Sequence, residues 1–307
     1  MNKRVLLIFN PVAGMSAKRP TPEKILSLFP DGYSITLKLT SKVGDGEEIA
    51  RNYCNGYDIV VACGGDGTLH EVINGLIAAC ADIPVGYIPI GTTNDLASTL
   101  NLPAKTEDAV NLIINGETHN YDIGTFNDIC FTYVASFGPG TAVSYETSKR
   151  MKNALGYGAY MLNGFLLKFG QALRDVKPRH IRIEHDGNIL EDDFYFGAVS
   201  NATRIGGLFR YDENDVKVGD GLFEVMLVRR IKNPIHALPM LRRIIKRDYD
   251  GETLMYFKAS DIKMYFEKEE TWSVDGECVK NIKNAFIGVK KQAVRIYSGF
   301  SPLFDEG

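Results

Sequence analysis

Through the first third of the chain, short apolar runs alternate with stretches whose apolar residues recur every three or four positions. Val5–Phe9, Ile35–Leu39, Ile59–Cys63 and Val85–Ile88 are brief and apolar, which predicts buried strands. Glu47–Cys54, Thr68–Cys80 and Thr106–Ile114 have helical spacing; in the second of them Leu69, Val72, Ile73, Leu76 and Ile77 mark the apolar face. The alternation predicts βαβ units in a doubly wound, parallel α/β sheet. From about Asn120 the pattern becomes strands divided by turn residues: Tyr121–Ile123, Ile129–Ser136, His180–His185, Asp192–Ser200, Leu222–Val228, Thr253–Tyr256, Asp261–Phe266, Ala285–Val289 and Ala293–Ile296. Two helical stretches interrupt, Tyr157–Leu173 and Asn233–Lys246, the latter opening on Asn233-Pro234. A second, β-rich domain is predicted, sandwich-like or built on a curved sheet, with residues 1–124 before it and 125–297 within it.

Three polar turns fall at predicted strand ends: Asn10-Pro11-Val12-Ala13-Gly14, Gly64-Gly65-Asp66-Gly67-Thr68 and Pro89-Ile90-Gly91-Thr92-Thr93-Asn94-Asp95. Ligands of doubly wound sheets sit beyond the carboxyl ends of the strands, so one pocket gathers all three. The middle turn joins a strand to a helix, and Thr68 and Glu71 have capping-box spacing. Its glycines let a ligand approach backbone N–H groups at the positive end of a helix, which makes a phosphate cradle. Asp66 repels a bare phosphate, and a divalent cation between the two removes the conflict. A tight turn carrying a solvated Asp fits the same local pattern. No GxxxxGK[ST] segment occurs, so a cation carries charge that a Walker lysine would otherwise meet.

The other acids have bland readings as well. Asp122 reads as a turn acid, Asp220-Gly221 as a hairpin between Val216–Val218 and Leu222–Val228, and Asp275-Gly276 as a hairpin between Trp272–Val274 and Cys278–Lys280. Thr93 or Asn94 reads equally well as the cap of a helix through Leu96 and Leu100. His70 lies one turn into the Gly64–Thr68 helix, while His119, His180, His185 and His236 lack ligand spacing.

Composition narrows the classes. A hydrophobic share of 45% with 24% charged residues is that of an ordinary globular protein. A net charge of −3 supplies no overall field for nucleic acid, and no nucleic-acid partner is expected. Five cysteines without a CxxC pair fit a reducing, cytoplasmic setting. Val5–Phe9 is too short for a signal-peptide core, and no run approaches the ~20 apolar residues of a membrane span. The sequon Asn201-Ala202-Thr203 is therefore not expected to carry glycan. Gly158–Phe169 reads as a buried core helix or an interfacial lid, and Arg242 to Arg247 as a solvated face or a patch for anionic lipid.

In order along the chain, Asn10-Pro11-x-x-Gly14, Gly64-Gly65-Asp66-Gly67-Thr68, Pro89-x-Gly91-Thr92-x-Asn94-Asp95, Asp122-x-Gly124, Asp220-Gly221-Leu222 and Asp275-Gly276-Glu277 resemble the diacylglycerol kinase catalytic-domain family. The bacterial soluble lipid kinases are the nearest pattern, and sphingosine and ceramide kinases are more distant. Singly the motifs are weak, since NAD kinases and phosphofructokinases share GGDGT; the ordered set over residues 10–277 is specific. The resemblance implies an ATP-binding α/β domain, to which a tail at 298–307 returns, and a β-rich lipid-substrate domain. It implies nucleotide contacts from Asn10, Pro11, Gly14, Thr40, Gly64, Gly65, Asp66, Gly67, Thr68, Glu71, Gly91, Thr92 and Asn94. It further implies that Asp66 and Asp122 organise Mg²⁺ on ATP, that Asp275 is the general base with Glu277 beside it, and that a structural Mg²⁺ sits at Asp220 with backbone oxygens near Lys217 and Leu222. The implied function is ATP-dependent phosphorylation of a lipid hydroxyl, most simply diacylglycerol, by a cytoplasmic enzyme that touches the membrane peripherally, with a homodimer as one possible assembly. The alternatives are a soluble-metabolite kinase of the NAD kinase type, against which stand the PxGTxND and late DGE segments, and a non-catalytic nucleotide-binding regulator, against which stands retention of all four acids.

Overall fold

A computed structural model of the chain describes residues 2–14, 20–92, 94–138, 177–205, 209–212, 214–231, 237–249 and 251–299. They fall into two compact units. The first holds Met1–Ile123, Val218–Asp220 and the run that begins at Lys291; the second holds Gly124–Lys217 and Gly221–Lys290. The chain thus re-enters the first unit earlier than the expected tail at 298, and also visits it briefly at 218–220.

In the first unit the strands β1 (Lys3–Phe9), β2 (Tyr33–Leu39), β3 (Ile59–Gly64) and β4 (Val85–Pro89) lie in the order β2-β1-β3-β4, every neighbouring pair parallel. Ile296, near the end of the last strand of the chain, pairs in parallel with Val85 on the far side of β4. Ile59–Gly64 is buried throughout, as a strand covered on both faces must be. Alternation explains how. Val5, Leu7 and Phe9 pack with Ile25 of α1 (Pro22–Leu26) and with Val110 and Ile113 of α5 (Thr106–Asn115). Leu6 and Ile8 point the other way and are equally buried. On that side α2 (Asp45–Tyr53) meets β1 and α3 (Asp66–Ala78) meets β3. The two helices press together at Gly75, where a Cβ would stand 2.4 Å from the Glu47 carbonyl oxygen. A short α4 (Asp95–Thr99) follows the third polar turn. No element was expected at α1, which starts on a Thr21 cap with proline in its first turn.

The second unit is antiparallel. Its strands are the end of β5 (Glu117–Phe126), then β6 (Ile129–Phe131), β7 (Val134–Phe137), β8 (Arg179–His185), β9 (Asn188–Ser200), β12 (Phe223–Arg229), β13 (Leu254–Ala259), β14 (Asp261–Val274) and the first part of β15 (Glu277–Ser298). A separate pair, β10 (Arg204–Ile205) with β11 (Phe209–Arg210), stands apart. The main order is β13-β12-β9-β7-β14-β15. β8 lies between β9 and β14 just as β7 does, so β7 and β8 form one line of strand that the chain leaves at Phe137 and rejoins at Arg179. With register irregularities at Val228/Arg229 and between Tyr265 and Trp272, the strands of this unit form one hydrogen-bonded sheet against one core. Trp272 is its centre, with the rings of Phe126, Phe137 and Phe266 at 4.7, 5.1 and 6.0 Å.

Several expected boundaries move. Ile129–Ser136 divides into β6 and β7 around Thr132-Tyr133, and the two last runs merge into the 22-residue β15. Val216–Val218 is not a strand, so Asp220-Gly221 is not the hairpin that its sequence suggested; the turn instead packs Gly219 against the Asn120 carbonyl. The expected helix Tyr157–Leu173 and the apolar stretch Gly158–Phe169 lie outside the described residues, and the second expected helix is described from Ala237 as α6 (Ala237–Lys246). No described helix is long and apolar enough to cross a membrane.

Candidate active site

The first unit brings the three polar turns together. Asn10, at the end of β1, accepts a bond from the Val12 amide through Oδ1 (3.0 Å) and donates from Nδ2 to Thr68 Oγ1 (2.9 Å). The amides of Ile90 and Gly91 both donate to the Gly64 carbonyl, at 2.9 and 3.1 Å. Gly14 has φ +73, and a Cβ there would lie 2.3 Å from the Ile90 carbonyl oxygen, a contact only glycine permits. Gly91 is as tightly placed, since its Cβ would be 2.6 Å from Gly65 Cα. Thr40 joins the group through its amide, which donates to the Phe9 carbonyl (3.0 Å). Pro11 lies half-buried in the first turn, while Thr92 in the third is exposed. Gly67 is exposed too, and a Cβ there would meet nothing within 4 Å. Backbone at the start of α3 is therefore open to a ligand, as a phosphate cradle requires.

Two helix caps differ from the expected ones. α3 begins at Asp66 with Gly65 as its N-cap, so Thr68 is not a cap. Thr68 is buried inside the first turn, with its hydroxyl taken by Asn10. Glu71 does not complete a capping box. Its two oxygens accept from the amides of Gly44 and Gly46, both at 2.9 Å, which makes it the cap of α2. The cap of α4 comes from outside as well. Asp66 Oδ2 accepts from the Asp95 amide (2.9 Å) and Oδ1 from the Leu96 amide (3.2 Å). Asn94 stands at the N-cap position with φ +49 and makes no capping bond. Its Nδ2 donates to the Gly91 carbonyl (3.0 Å), and its Oδ1 accepts from the Tyr87 hydroxyl (3.3 Å). Thr93, the other expected cap, lies outside the described residues.

Asp122 is not a turn acid. It sits within β5 at 0% exposure, where Oδ1 accepts from the Gln292 amide (2.6 Å) and its own amide donates to the Val218 carbonyl (2.8 Å). It thus ties together the three passages of the chain through the first unit. Among the described residues no group of three or more His, Cys, Asp or Glu side chains is arranged to hold a metal. The pair Asp66 and Asp122 is accordingly no ready-made metal cage. At the expected structural site, Asp220 belongs to the first unit while Lys217 and Leu222 belong to the second.

In the second unit, Asp275-Gly276 forms the expected two-residue hairpin with φ +47 and +89. The carboxylate at its tip is heavily engaged. Oδ2 accepts from the Thr132 amide (2.6 Å) and hydroxyl (2.7 Å), and Oδ1 from the amides of Tyr133 and Val134, each at 2.9 Å. Four donors match the roughly four lone-pair sites of a carboxylate. A base role therefore needs one donor to yield, and of these four the Thr132 hydroxyl is the one that is not backbone. Glu277 is exposed, and its side chain makes no hydrogen bond or ion pair among the described residues. The sequence reading missed Tyr87, Thr132 and Gln292; only Thr132, a polar residue interrupting a predicted strand, left a local signal.

Comparison with known proteins gives the arrangement its family. Residues 4–126 match the model of the diacylglycerol kinase catalytic domain. A diacylglycerol kinase of Staphylococcus epidermidis is 32% identical over 305 residues, covering 97% of this chain and 93% of its own. One of Staphylococcus saprophyticus is 33% identical over 298 residues, covering 95% and 94%. Two solved structures from Bacillus anthracis str. Sterne share the fold over 97% of each chain, with TM-scores of 0.77 and 0.72 at 24% and 22% identity; the second is described as a diacylglycerol kinase. With glycine turns that present backbone as phosphate-binding proteins do, and relatives alike along nearly its whole length, the chain belongs to the diacylglycerol kinase family and is a kinase.

Proposed function

We propose that this kinase transfers the γ-phosphoryl group of Mg·ATP to the hydroxyl of a membrane lipid alcohol, diacylglycerol, giving phosphatidic acid. The observation that carries this reading is identity of 32–33% to proteins named diacylglycerol kinase over 95–97% of the chain. The residues fit ATP: exposed Gly67 with open space above it, Gly65 beside it, and Gly91 and Gly14 spared side chains by close contacts, form a surface for phosphate oxygens, with Asn10, Thr40, Thr68 and Thr92 around it. They also fit Mg²⁺ that arrives on the nucleotide. Such an ion uses one or two carboxylates plus phosphates in place of an all-protein cage. Asp66 is the carboxylate on that surface, and the ion supplies neutralisation of phosphate charge.

Phosphoryl transfer asks the protein chiefly to position and to accept a proton. Asp275 is held rigidly by the amides of Thr132, Tyr133 and Val134, and a lipid hydroxyl takes the place of the Thr132 hydroxyl at Oδ2. Exposed Glu277 adds negative charge two positions further along the chain. Contact with the lipid is peripheral. Incubation with Mg·ATP and a total lipid extract, with new phospholipids read by mass spectrometry, tests the proposal. Phosphatidic acid is the expected product; phosphorylated NAD, with no response to any dispersed lipid alcohol, would refute it.

A further inference from the structure

Tyr87 lies on β4, two residues before Pro89 opens the third polar turn, and is 2% exposed. An apolar residue would fill such a core position without the cost of burying a hydroxyl. Here the hydroxyl is used. Its proton goes to Asn94 Oδ1 at 3.3 Å, and the charge of Asp66 acts on it from nearby. Asn94 and Asp66 are themselves fasteners. Asp66 starts α3 and holds the amides of Asp95 and Leu96, while Asn94 holds the Gly91 carbonyl. Gly91 in turn rests on Gly65.

We propose that Tyr87 is a positioning residue for nucleotide: its buried hydroxyl fastens Asn94 to the sheet, so that the Pro89–Asn94 turn, and the amides after it that bind Asp66, hold one geometry before ATP arrives. Without the hydroxyl, Asn94 loses its link to the sheet, and the Asp95 and Leu96 amides next to it are held on Asp66 less firmly. The turns then sample other arrangements, and binding must select the competent one. Burial first, and the charge of Asp66 second, push the Tyr87 phenol far above its ordinary range, so it remains a donor at every working pH.

The inference rests on the proposed use of Asp66 toward Mg·ATP, and its test separates the two. Tyr87→Phe removes one oxygen from the core. Hydrogen exchange of the nucleotide-free protein is expected to quicken at the Asp95 and Leu96 amides by up to about tenfold, the effect of losing one hydrogen bond beside them. The Kd for a non-hydrolysable ATP analogue and the KM for ATP are expected to rise together by about tenfold, with kcat at saturating nucleotide within about threefold of wild type. Ile88→Val, a trimmed neighbour in the same strand with no bond to the turns, serves as control; it lowers the melting temperature and leaves exchange at those amides and the Kd in place. Unchanged exchange in Tyr87→Phe overturns the inference whatever the phosphoryl acceptor is, and so does an equal loss of affinity in Ile88→Val. Wild-type protein that fails to bind the analogue overturns the ATP site itself.

Discussion

Replacing Asp275 by Asn tests whether its carboxylate is a clamp as well as a base. Asn tolerates φ near +47, so the hairpin survives. The side-chain amide does not suit the donors around it. With Nδ2 turned toward Oδ1's position it would face the amides of Tyr133 and Val134; turned the other way it meets the Thr132 amide at 2.6 Å, although the Thr132 hydroxyl can rotate to accept. The second orientation is the cheaper. It still forfeits one bond to a charged acceptor, about 1.5–3 kcal/mol, and leaves the amide of Thr132, a residue only 2% exposed, facing a donor. A loss of about 2–4 kcal/mol follows, since the two costs overlap. In a domain of this size that lowers the melting temperature by roughly 5–15 °C. Turnover falls as well, by ~10²–10⁴ if the base is lost. Differential scanning calorimetry and kcat on the same preparation read both. A variant that melts within about 1 °C of wild type would refute the clamp, whatever its activity. Thr132→Val, which removes only the yielding hydroxyl, is expected to keep kcat within about threefold, because the acceptor hydroxyl displaces that group in any case.

Gly91→Ala drives a methyl into Gly65 Cα and Asn94 Oδ1, at 2.6 and 2.5 Å, and should weaken binding of an ATP analogue at least about tenfold in equilibrium titration. Glu71→Gln turns an NH₂ toward one of the two glycine amides at the start of α2, so a melting temperature lower by a few degrees with nearly unchanged nucleotide affinity is expected; lost affinity at unchanged stability would return Glu71 to the binding site. The carboxylates of Glu191 and then Asp193 raise the pKa of His180 from its ordinary 6.5. A raised folded-state value means that this pairing stabilises fully below about pH 6.5 and ceases to do so as pH climbs through the raised value. Titration of the His180 ring by NMR should show a midpoint above 6.5 that drops in Glu191→Gln.

The elements that were legible in the sequence are those whose pattern is local. Ile59–Cys63 and the helix face through Leu69 and Leu76 announce themselves because burial of a strand or a stripe is written in consecutive residues. So does Asp275-Gly276, whose turn needs two residues at positive φ. What failed was partner choice. Thr68 and Glu71 have the right spacing for a reciprocal cap, yet Gly44 and Gly46 offered Glu71 two unpaired amides from another helix. Asp66 reads as an outward-facing acid because nothing in residues 64–68 shows that the amides of Asp95 and Leu96 will fold over it. The turn reading of Asp122 misses the backbone amide, 170 positions later, that donates to its carboxylate. Long-range bonds of this kind leave no periodicity behind.

The parallel pairing of Ile296 with Val85 sets an order of events during synthesis. Val85–Ile88 is a fully buried strand, and among the described residues one of its edges is met, at Val85, by a segment made some two hundred residues later. At ribosomal speeds of about 5–20 residues per second that edge waits roughly 10–40 s. For that interval the nascent first unit displays an apolar strand edge with unpaired amides, the surface on which chains join one another. Yield in the cell should therefore depend on translation rate and on chaperones that shield β4, even for variants whose finished form is as stable as wild type.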